Sequence, residues 1–427
     1  MLTCRHCCAP LRHTVVDLGM SPLCETFPAA DELNQMEPFY PLRVWVCDTC
    51  FLVQVQEYVG PERIFAEAYP YFSSYSVSWL RHAEQYVGAV SERLGLGADS
   101  LVVELGSNDG YLLQYFVARG VPVLGIEPAR NVGEAARGRG VPTLIRMFDE
   151  TCARDLAGPS GAALAAAAGM TRWPRGGRRP DLICGANVLA QVSDLNGFVR
   201  AITHLLAPDG VVTIEFPHLE RLIADNQFDT IYHEHFSYFS FTAAERIFAS
   251  HGLTLFDVEE LSTHGGSLRI WGCHASSRRW PVGPRVGALR AREAAIGVTT
   301  LGYYADFARR VEDTKHRLLE FLIDARRRGK RTVGYGAPGK GNTLLNYCGI
   351  RTDLLEYTVD RNPYKQGRFT PGTHIPIAAP EAISRTRPDY VLILPWNLTT
   401  EIVEQMAHVR DWGGAFVVPI PEVKVIG

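Results

Sequence analysis

From about residue 100 onward, short β-branched runs alternate with segments of helical length, and no other feature constrains the fold as strongly. Five runs precede residue 218, reading LVVEL, VPVLGIEP, LIRMF, DLICGANVL and GVVTIEFP. Strands separated by helices form right-handed βαβ units on a parallel sheet. Two more runs, LTLFDVEEL and SLRIWGC, are separated by a short Gly-rich turn that predicts an antiparallel hairpin. We therefore expect a doubly wound α/β sheet closed by a hairpin.

A second and smaller α/β pattern starts near residue 330. It begins with KRTVGYGAPGKGNTLLNYCG and continues through DYVLILPWN to GAFVVPIPEV, which predicts a half-length Rossmann-like domain. A length of 427 residues also suggests two or three domains. We expect an N-terminal module at 1–70, a middle Rossmann-like domain at 71–285 and the C-terminal domain at 286–427.

The middle domain contains one segment of different composition, AGPSGAALAAAAGMTRWPRGGRRP at 157–180. Its Ala, Gly and Pro content, directly before the DLICGANVL strand, predicts a surface insertion with a short Ala-rich helix. The arginines Arg172, Arg175, Arg178 and Arg179 are expected to be solvated charges. We assign no chemistry to this insertion.

Two Cys-x-x-Cys pairs lie in the first fifty residues, Cys4 with Cys7 and Cys47 with Cys50. Four thiolates in a tetrahedron are a ligand set that structural zinc prefers. Because the protein would fill all four positions, we expect zinc to hold the N-terminal module folded without contacting substrate. A zinc ribbon that binds nucleic acid is the alternative, but a net charge of −3 argues against a nucleic acid partner.

The N-terminal residues MLTCRHCCAP lack a basic segment followed by an apolar one. No run of about 18 uncharged apolar residues occurs elsewhere, so no membrane partner is expected. Ten cysteines are few for a disulfide scaffold of this length. The sequence therefore predicts a cytoplasmic protein.

The motif ELGSNDG at 104–110 follows the first strand of the middle domain. Its glycines, Gly106 and Gly110, would let a ligand approach the backbone, and Glu104 could hold a cationic amino group. Glu127, at the end of the next strand, could accept both hydroxyls of an adenosine ribose. The spacing lacks the Gly-x-Gly-x-x-Gly of dinucleotide sites, and this favours S-adenosylmethionine over NAD. An ordinary tight turn is the alternative.

The run DTIYHEHFSY places two imidazoles, two phenols and a carboxylate within ten residues. Tyr232, His233, Glu234 and His235 are groups that can move protons near neutral pH. Binding of a metal by His-x-His, or a surface turn with no chemistry, remains open on these residues alone.

The segment GYGAPGKGN at 334–342 contains Gly-x-Gly-x-x-Gly after a strand, with Asp360 further along the chain. Taken alone, this arrangement is typical of a dinucleotide site. Lys340 directly follows the third glycine and would favour contact with a nucleotide phosphate instead. Both interpretations remain open at this point.

Considered together, these motifs resemble those of a known enzyme family along nearly the whole chain. The resemblance rests on the two Cys pairs and on SSYSVSWLRHA, ELGSNDGYLL, NVLAQVSDLN, FDTIYHEHFSYFS, HGGSLR, YGAPGKGNTLLNY, KQGRFTPGTHIPI and LPWN. The chain resembles the three-domain C-methyltransferases that act on nucleotide-linked 4-keto-deoxyhexoses in antibiotic pathways. The resemblance implies zinc in the first domain, S-adenosylmethionine in the middle one, and a nucleotide sugar between the middle and last domains.

The resemblance also implies roles for individual residues. His235 is then the general base, and Tyr75, Tyr232 and Glu234 orient the sugar or stabilise an enolate. The implied cofactor residues are Glu104, Gly106, Asn108, Gly110, Glu127, Phe148 and Asn187. The implied contacts to the nucleotide diphosphate are Lys340, Asn342, Lys365 and Arg368.

One position departs from the family pattern, because Gln191 stands where the family usually has histidine. Glutamine can hold a hydrogen bond but does not titrate near pH 7, so a proton-transfer role is lost there. Three interpretations follow: the position orients substrate, a different sugar carbon reacts, or activity is weakened.

We therefore expect the protein to methylate a carbon atom of a nucleotide-linked 4-keto-6-deoxyhexose, with dTDP as the expected nucleotide. The reaction would pass through a base-generated enolate, and C3 is favoured over C5 as the methylated carbon. An NAD-dependent sugar-nucleotide oxidoreductase and a non-catalytic sugar-nucleotide-binding protein are the alternatives. We expect a monomer, since three domains of one chain must enclose the site.

Overall fold

The computed structural model describes residues 2–65, 69–171 and 179–427. These residues form three β-sheets, with four, seven and six strands. The predicted α/β fold class is confirmed. No helix within the described ranges is both long and apolar enough to cross a membrane.

The N-terminal module is a small antiparallel sheet. Its elements are β1 (His13–Ser21), β2 (Tyr40–Val46), β3 (Val53–Val55) and the short helix α1 (Pro61–Ile64). Val44, Val46, Val53 and Val55 are buried, because the faces of β2 and β3 that carry them pack into the core. Helix α2 (Val77–Leu94) then leads into the middle of the chain.

The middle of the chain contains alternating strands and helices. They are β4 (Val102–Leu105), α3 (Leu113–Ala118), β5 (Val123–Glu127), α4 (Arg130–Gly138), β6 (Thr143–Ile145), α5 (Glu150–Ala157), α6 (Gly161–Ala167), β7 (Leu182–Ala186), α7 (Leu195–Leu205), β8 (Val211–Pro217), α8 (Leu219–Ala224), β9 (Ser237–Tyr238), α9 (Phe241–Ser250), β10 (Leu253–Leu261) and β11 (Ser267–His274). Each of these strands except β9 joins the central sheet, in which the strand order is β10-β11-β8-β7-β4-β5-β6.

The pairing of these strands matches the sequence prediction. Strands β8, β7, β4, β5 and β6 run parallel, and β10 and β11 form the antiparallel hairpin that closes the sheet next to β8. Strand β4 is entirely buried, as expected for a parallel strand covered on both faces. The predicted Ala-rich helix of the insertion is α6, whereas Arg172, Arg175 and Arg178 lie outside the described residues.

The last third of the chain forms a second α/β unit. Its elements are α10 (Pro284–Ile296), α11 (Phe307–Arg327), β12 (Thr332–Tyr335), α12 (Gly339–Cys348), β13 (Thr358–Val359), β14 (Ile377–Ala378), α13 (Glu381–Thr386), β15 (Tyr390–Ile393), α14 (Thr399–Gln405), β16 (Ala415–Val418) and β17 (Lys424–Ile426). The strand order is β14-β13-β12-β15-β16-β17, and every pair except β16 with β17 is parallel. This is the half-length Rossmann-like arrangement that the sequence predicts.

The N-terminal module contacts both other units. Strand β9, from the middle of the chain, pairs antiparallel with β3 and becomes the fourth strand of the N-terminal sheet. The guanidinium of Arg5 donates to the carbonyl of Phe236 at 2.8 Å, just before β9. The amide of Asn342 on α12 donates to the carbonyl of Cys24 at 2.6 Å. The module therefore lies between the central and the C-terminal units.

Candidate active site

A cavity of about 1190 Å³ opens where the three sheets meet. Its walls include the loops at the carboxyl ends of β4, β5 and β7, the segment before β9, and the start of α12. Most of the residues that the sequence singles out line this cavity: Tyr75, Gly106, Asn108, Glu127, Phe148, Asn187, Gln191, Tyr232, Glu234, His235, Lys340 and Lys365. The carboxyl ends of parallel strands are where ligands bind in open α/β sheets.

The ELGSNDG loop turns sharply between β4 and α3. Gly106 and Gly110 have φ angles of +67° and +78°, a region that side chains rarely adopt. A Cβ on Gly110 would lie 2.9 Å from the side chain of Val141, and a Cβ on Gly106 would lie 3.2 Å from Val188. Both glycines are therefore required by the backbone of this loop, and Gly106 lines the cavity while Gly110 lies behind it.

Two buried carboxylates flank this loop. Glu127 accepts hydrogen bonds from the backbone N–H groups of Asn108 and Ala129, each at 2.9 Å, and burial raises its pKa to about 7. Glu104 lies beneath the loop, outside the cavity lining, and burial raises its pKa well above the usual range. The phenol of Tyr111 is the side-chain donor that faces the carboxyl of Glu104 and lowers this pKa in part.

Asn108 anchors the segment that crosses the mouth of the cavity. Its side-chain oxygen accepts from the backbone N–H of Ser73 at 2.8 Å, and its amide donates to the carbonyl of Tyr71 at 3.2 Å. Ser73–Tyr75 forms a short 3-10 turn. Tyr75 is its last residue and is 40% exposed. The phenol of Tyr75 is thus carried on a segment fixed to the loop after β4.

His235 is a buried imidazole in the wall formed by the YHEH segment. Its Nε2 lies 3.1 Å from the hydroxyl of Tyr232, and the two ring centroids are 4.2 Å apart. Burial lowers the pKa of His235 to about 3, and the positive charge of Lys340 adds to this effect. The imidazole is therefore neutral at pH 7 and retains a lone pair.

Glu234, the residue before it, faces hydrogen-bond donors. Its Oε2 accepts from the hydroxyl of Tyr69 at 3.3 Å, and its Oε1 lies 3.5 Å from the Sγ of Cys24. Burial, together with the nearby negative charge of Glu25, raises the pKa of Glu234 to about 8. Glu234 is therefore mainly protonated at pH 7.

Lys340 and Lys365 enter the cavity from the C-terminal unit. The ammonium of Lys340 donates to the side-chain oxygen of Asn397 at 2.8 Å and lies 4.6 Å from the ring centre of Trp396. Burial lowers the pKa of Lys340 to about 8. Lys365 forms a 3.0 Å ion pair with Glu25, so its charge is already compensated.

Two of the residues predicted to contact the diphosphate lie away from the cavity lining. The amide of Asn342 donates to the carbonyl of Cys24, and the guanidinium of Arg368 donates to the carbonyl of Phe27 at 3.0 Å. In this structure both side chains tie the C-terminal unit to the loop after β1.

Gln191 and Asn187 line the cavity after β7. Gln191 ends a 3-10 turn, and its side-chain amide has no hydrogen-bond partner within the described part of the chain. Asn187 has a φ angle of +60°, and its amide nitrogen lies 3.4 Å from Nε2 of His264. Non-glycine residues at positive φ are concentrated at functional sites.

The four predicted metal ligands converge at the start of the N-terminal module. The sulfurs of Cys4 and Cys50 are 3.5 Å apart, as are those of Cys7 and Cys47. All four sulfurs lie within 4.8 Å of one another. This separation fits a tetrahedron of Zn–S bonds of about 2.3 Å, and three of the four cysteines are buried.

Comparison with known proteins gives the same three units in the same order. A model described as a putative zinc binding domain matches residues 4–65, one described as a methyltransferase domain matches residues 79–258, and one described as a C-methyltransferase C-terminal domain matches residues 262–421. The C-methyltransferase NovU of Streptomyces niveus is 36% identical over 412 residues, covering 96% of this chain and 94% of NovU. The chain belongs to the C-methyltransferase family.

Solved structures resemble only part of the chain. The CcbJ methyltransferase from Streptomyces caelestis covers 49% of this chain and 93% of its own, at 14% identity and a TM-score of 0.33. Magnesium protoporphyrin IX methyltransferase from Synechocystis covers 50% and 88%, at 13% identity and a TM-score of 0.32.

Membership of the C-methyltransferase family confirms the predicted enzyme class and both predicted cofactors. The enzyme is dependent on S-adenosylmethionine and carries a zinc-binding module at its N-terminus. The residues fit both groups: the four thiols can surround one zinc ion, and Glu127 presents a carboxyl oriented by two backbone donors to the cavity at the end of β5. The ribose hydroxyls would meet Glu127, and Phe148 lines the cavity close to the same loops.

Several cavity residues are absent from the sequence prediction. Glu25 and Tyr69 line the cavity, and His264 lines it with a φ angle of +55°. The sequence does give a signal for His264, because the two glycines that follow it in HGGSLR mark a turn at this position. No local signal identifies Glu25, which reaches the cavity only through tertiary packing.

Proposed function

We propose that this C-methyltransferase methylates carbon in a nucleotide-linked 4-keto-6-deoxyhexose, with dTDP as the nucleotide and C3 as the favoured carbon. The main support is the neutral imidazole of His235, which lines one cavity between the loop after β4 and the ammonium of Lys340. A neutral base is the form that can remove the acidic hydrogen next to a ketone. The resemblance of the motifs supplies the sugar class.

In the proposed reaction His235 accepts a proton from the carbon next to the C4 ketone. Its low pKa means that the imidazole is unprotonated before substrate binds. An enolate beside the ring would stabilise the imidazolium that forms, since opposite charges at short distance attract strongly in a buried site. Tyr232, 3.1 Å from Nε2, can hold the ring in position.

Hydroxyl and carboxyl donors would hold the enolate oxygen. Tyr232 and the protonated Glu234 line the same wall as His235, and Tyr75 lies on the segment across the mouth. Donors fixed in advance around a developing negative charge are the largest source of rate acceleration in many enzymes. Phe72 and Tyr364 stack with centroids 5.2 Å apart beside Tyr75 and narrow access for water.

S-adenosylmethionine supplies an electrophilic methyl group when it is bound. The residues proposed to hold it are Glu104, Gly106, Asn108, Gly110, Glu127, Phe148 and Asn187. Asn108 would act through its backbone and through the segment it anchors, because its side chain is already bonded to Ser73 and Tyr71. Glu127 keeps its carboxylate oriented by two backbone donors.

Lys340 is the proposed main contact for the diphosphate. It sits near the start of α12, where the helix dipole favours anions. Among the described residues Lys340 forms no ion pair, whereas Lys365 is paired with Glu25. The sequence predicts that Asn342 and Arg368 contact the diphosphate. Under this proposal they would instead fix the loop after β1.

An NAD-dependent oxidoreductase is less well supported, for a reason visible at the Gly-rich loop. Asp360 accepts from the backbone N–H of Ala337 at 2.7 Å. A Cβ on Gly339 would lie only 3.4 Å from Oε1 of Glu25. Cys24 and Glu25 of the N-terminal module therefore fill the space beside the third glycine, where a dinucleotide would need to approach the loop.

We also propose that the enzyme works as a monomer with units at 1–70, 71–285 and 286–427. One chain supplies residues to every wall of the cavity, including Glu25, His235 and Lys340. Sedimentation of the purified enzyme in the presence of substrate tests this proposal. A dimer that dissociates with loss of activity would contradict it.

The direct test is to incubate the enzyme with S-adenosylmethionine and a dTDP-4-keto-6-deoxyhexose. We expect a product heavier by one methyl group, and NMR of that product distinguishes C3 from C5. Without methyl donor, hydrogen at the reacting carbon should exchange with deuterated water in the wild type and not in His235→Asn. A nicotinamide cofactor that raises the melting temperature would favour the oxidoreductase, and binding without turnover would favour a non-catalytic protein.

A further inference from the structure

Glu25 is a buried acid that no sequence motif identifies. It follows β1 in the N-terminal module, its side chain is 10% exposed, and it lines the cavity. Its Oε2 lies 3.0 Å from the ammonium of Lys365, which also donates to the carbonyl of Ala337 at 2.9 Å. A carboxylate from the first unit is thus held in the active site by a lysine from the last.

Glu25 and Glu234 reach the same part of the cavity from different units. Cys24, next to Glu25 in sequence, lies 3.5 Å from Oε1 of Glu234, and Tyr69 donates to the other oxygen of Glu234. The titratable groups that face one or both acids are Cys24, Tyr69, Tyr71 and Tyr232 together with Asp360 and Lys365 of the C-terminal unit. Among the described residues, the cluster therefore contains one ammonium, Lys365, for the three acids Glu25, Glu234 and Asp360.

This balance limits how many of the acids can ionise. Asp360 accepts from the backbone N–H groups of Ala337 and Asn362, and Glu25 has Lys365 at ion-pair distance. The close partners of Glu234 in the described part of the chain are a phenol and a thiol. When buried carboxylates share a site, the one with the weakest compensation keeps its proton.

We propose that Glu25 is a positioning residue: paired with Lys365, its carboxylate keeps Glu234 protonated, so that Glu234 donates a hydrogen bond to the substrate's carbonyl oxygen. The catalytic consequence rests on the proposed function, whereas the protonation of Glu234 does not. The raised pKa of Glu234, about 8, is in keeping with this arrangement, because burial and the charge of Glu25 both favour the neutral acid. A carboxylic acid kept neutral near pH 7 can serve as an oxyanion donor.

Infrared titration of the ligand-free full-length enzyme tests the protonation directly. The carboxylic-acid carbonyl band of Glu234 is obtained by subtracting the spectrum of Glu234→Gln. In the wild type we expect the band at pH 7, with a midpoint near pH 8. In Glu25→Gln the unpaired ammonium of Lys365 should lower that midpoint by about one to three pH units.

Charge and packing effects are separated by a second variant. Glu25→Gln combined with Lys365→Met removes both charges, so the midpoint of Glu234 should return toward the wild-type value. A cavity that is merely loosened would instead move the midpoint the same way in the single and the double variant. Glu25→Asp, which keeps the charge, should retain most of the high midpoint.

Three results would overturn the proposal: an ionised Glu234 in the wild type at pH 7, an unchanged midpoint in Glu25→Gln, or a double variant that moves further from the wild type. Should Glu25→Gln not fold, the wild-type spectrum still decides, because a protonated Glu234 supports the proposal and an ionised one refutes it. The methyl-transfer assay is read separately. If the infrared shifts are as expected but no methylation is detected, the proposed function is contradicted and the role of Glu25 in keeping Glu234 protonated still stands.

Discussion

Replacement of Glu127 by glutamine should change both the strength and the pH dependence of methyl-donor binding. The carboxylate of Glu127 is oriented by the N–H groups of Asn108 and Ala129 and has a pKa of about 7. Only its ionised form accepts hydrogen bonds from both ribose hydroxyls. The affinity of the wild type for the methyl donor should therefore be at its maximum above pH 8 and should fall as the pH drops through 7.

The size of the effect follows from this pKa. At pH 5.5 a group with a pKa of about 7 is about 3% ionised, so the wild-type dissociation constant should rise about thirtyfold relative to pH 8.5. Hydrogen bonds to a charged group contribute about 1.5–3 kcal/mol, so Glu127→Gln should bind about ten- to a hundredfold more weakly at pH 8.5. Because glutamine does not titrate, the affinity of Glu127→Gln should change little between these pH values.

Isothermal titration with S-adenosylhomocysteine at both pH values provides the measurement. The amino group of S-adenosylhomocysteine also titrates, but it does so equally with every protein variant. Its effect therefore cancels in the ratio of the variant's dissociation constant to that of the wild type. Glu134→Gln is the matched control, since Glu134 lies on α4 with a side chain that is 58% exposed. Equal pH dependence in the wild type and Glu127→Gln would refute the assignment of Glu127 as the ribose acceptor.

Three further predictions concern the base, the departure at residue 191 and the metal. His235→Asn should bind both ligands with unchanged affinity and lose most turnover, because asparagine accepts no proton at this site; turnover equal to the wild type excludes His235 as the base. Gln191→Ala should raise the KM for the nucleotide sugar and leave the pH profile of kcat unchanged, since an amide does not titrate; a shifted profile would contradict this role. Zinc removal by a chelator should lower kcat while S-adenosylhomocysteine still binds, because β9 adds the segment after His235 to the N-terminal sheet; loss of that binding would show that the central sheet depends on the metal.

Features encoded over short stretches of sequence could be predicted well. The β-branched runs give β4, β5, β7 and β8 because parallel strands buried on both faces need continuous apolar sequence. The Cys-x-x-Cys pairs and Glu127 are likewise set by local spacing, and the structure brings the four thiols together. The glycines of the ELGSNDG loop are explained by its positive φ angles.

Contacts between distant segments could not be predicted in this way. Glu25 meets Lys365, and Asn342 meets the carbonyl of Cys24, across more than 300 residues of sequence. Neither pair has a spacing or a periodicity that marks it. The pKa of Glu234 has the same origin, because burial by three separate units sets it. The glycine-rich segment at 334–342 also changes meaning once Glu25 lies beside Gly339.

The two-residue strand β9 has a consequence for how the enzyme comes into being. It is made after the N-terminal sheet it completes, and α12, which seals the loop after β1, is made more than 100 residues later still. A chain leaving the ribosome can thus form most of the zinc-binding N-terminal module and the central sheet before the last third is made. The cavity is complete only after the last third of the chain, which supplies Lys340 and Lys365, has been made.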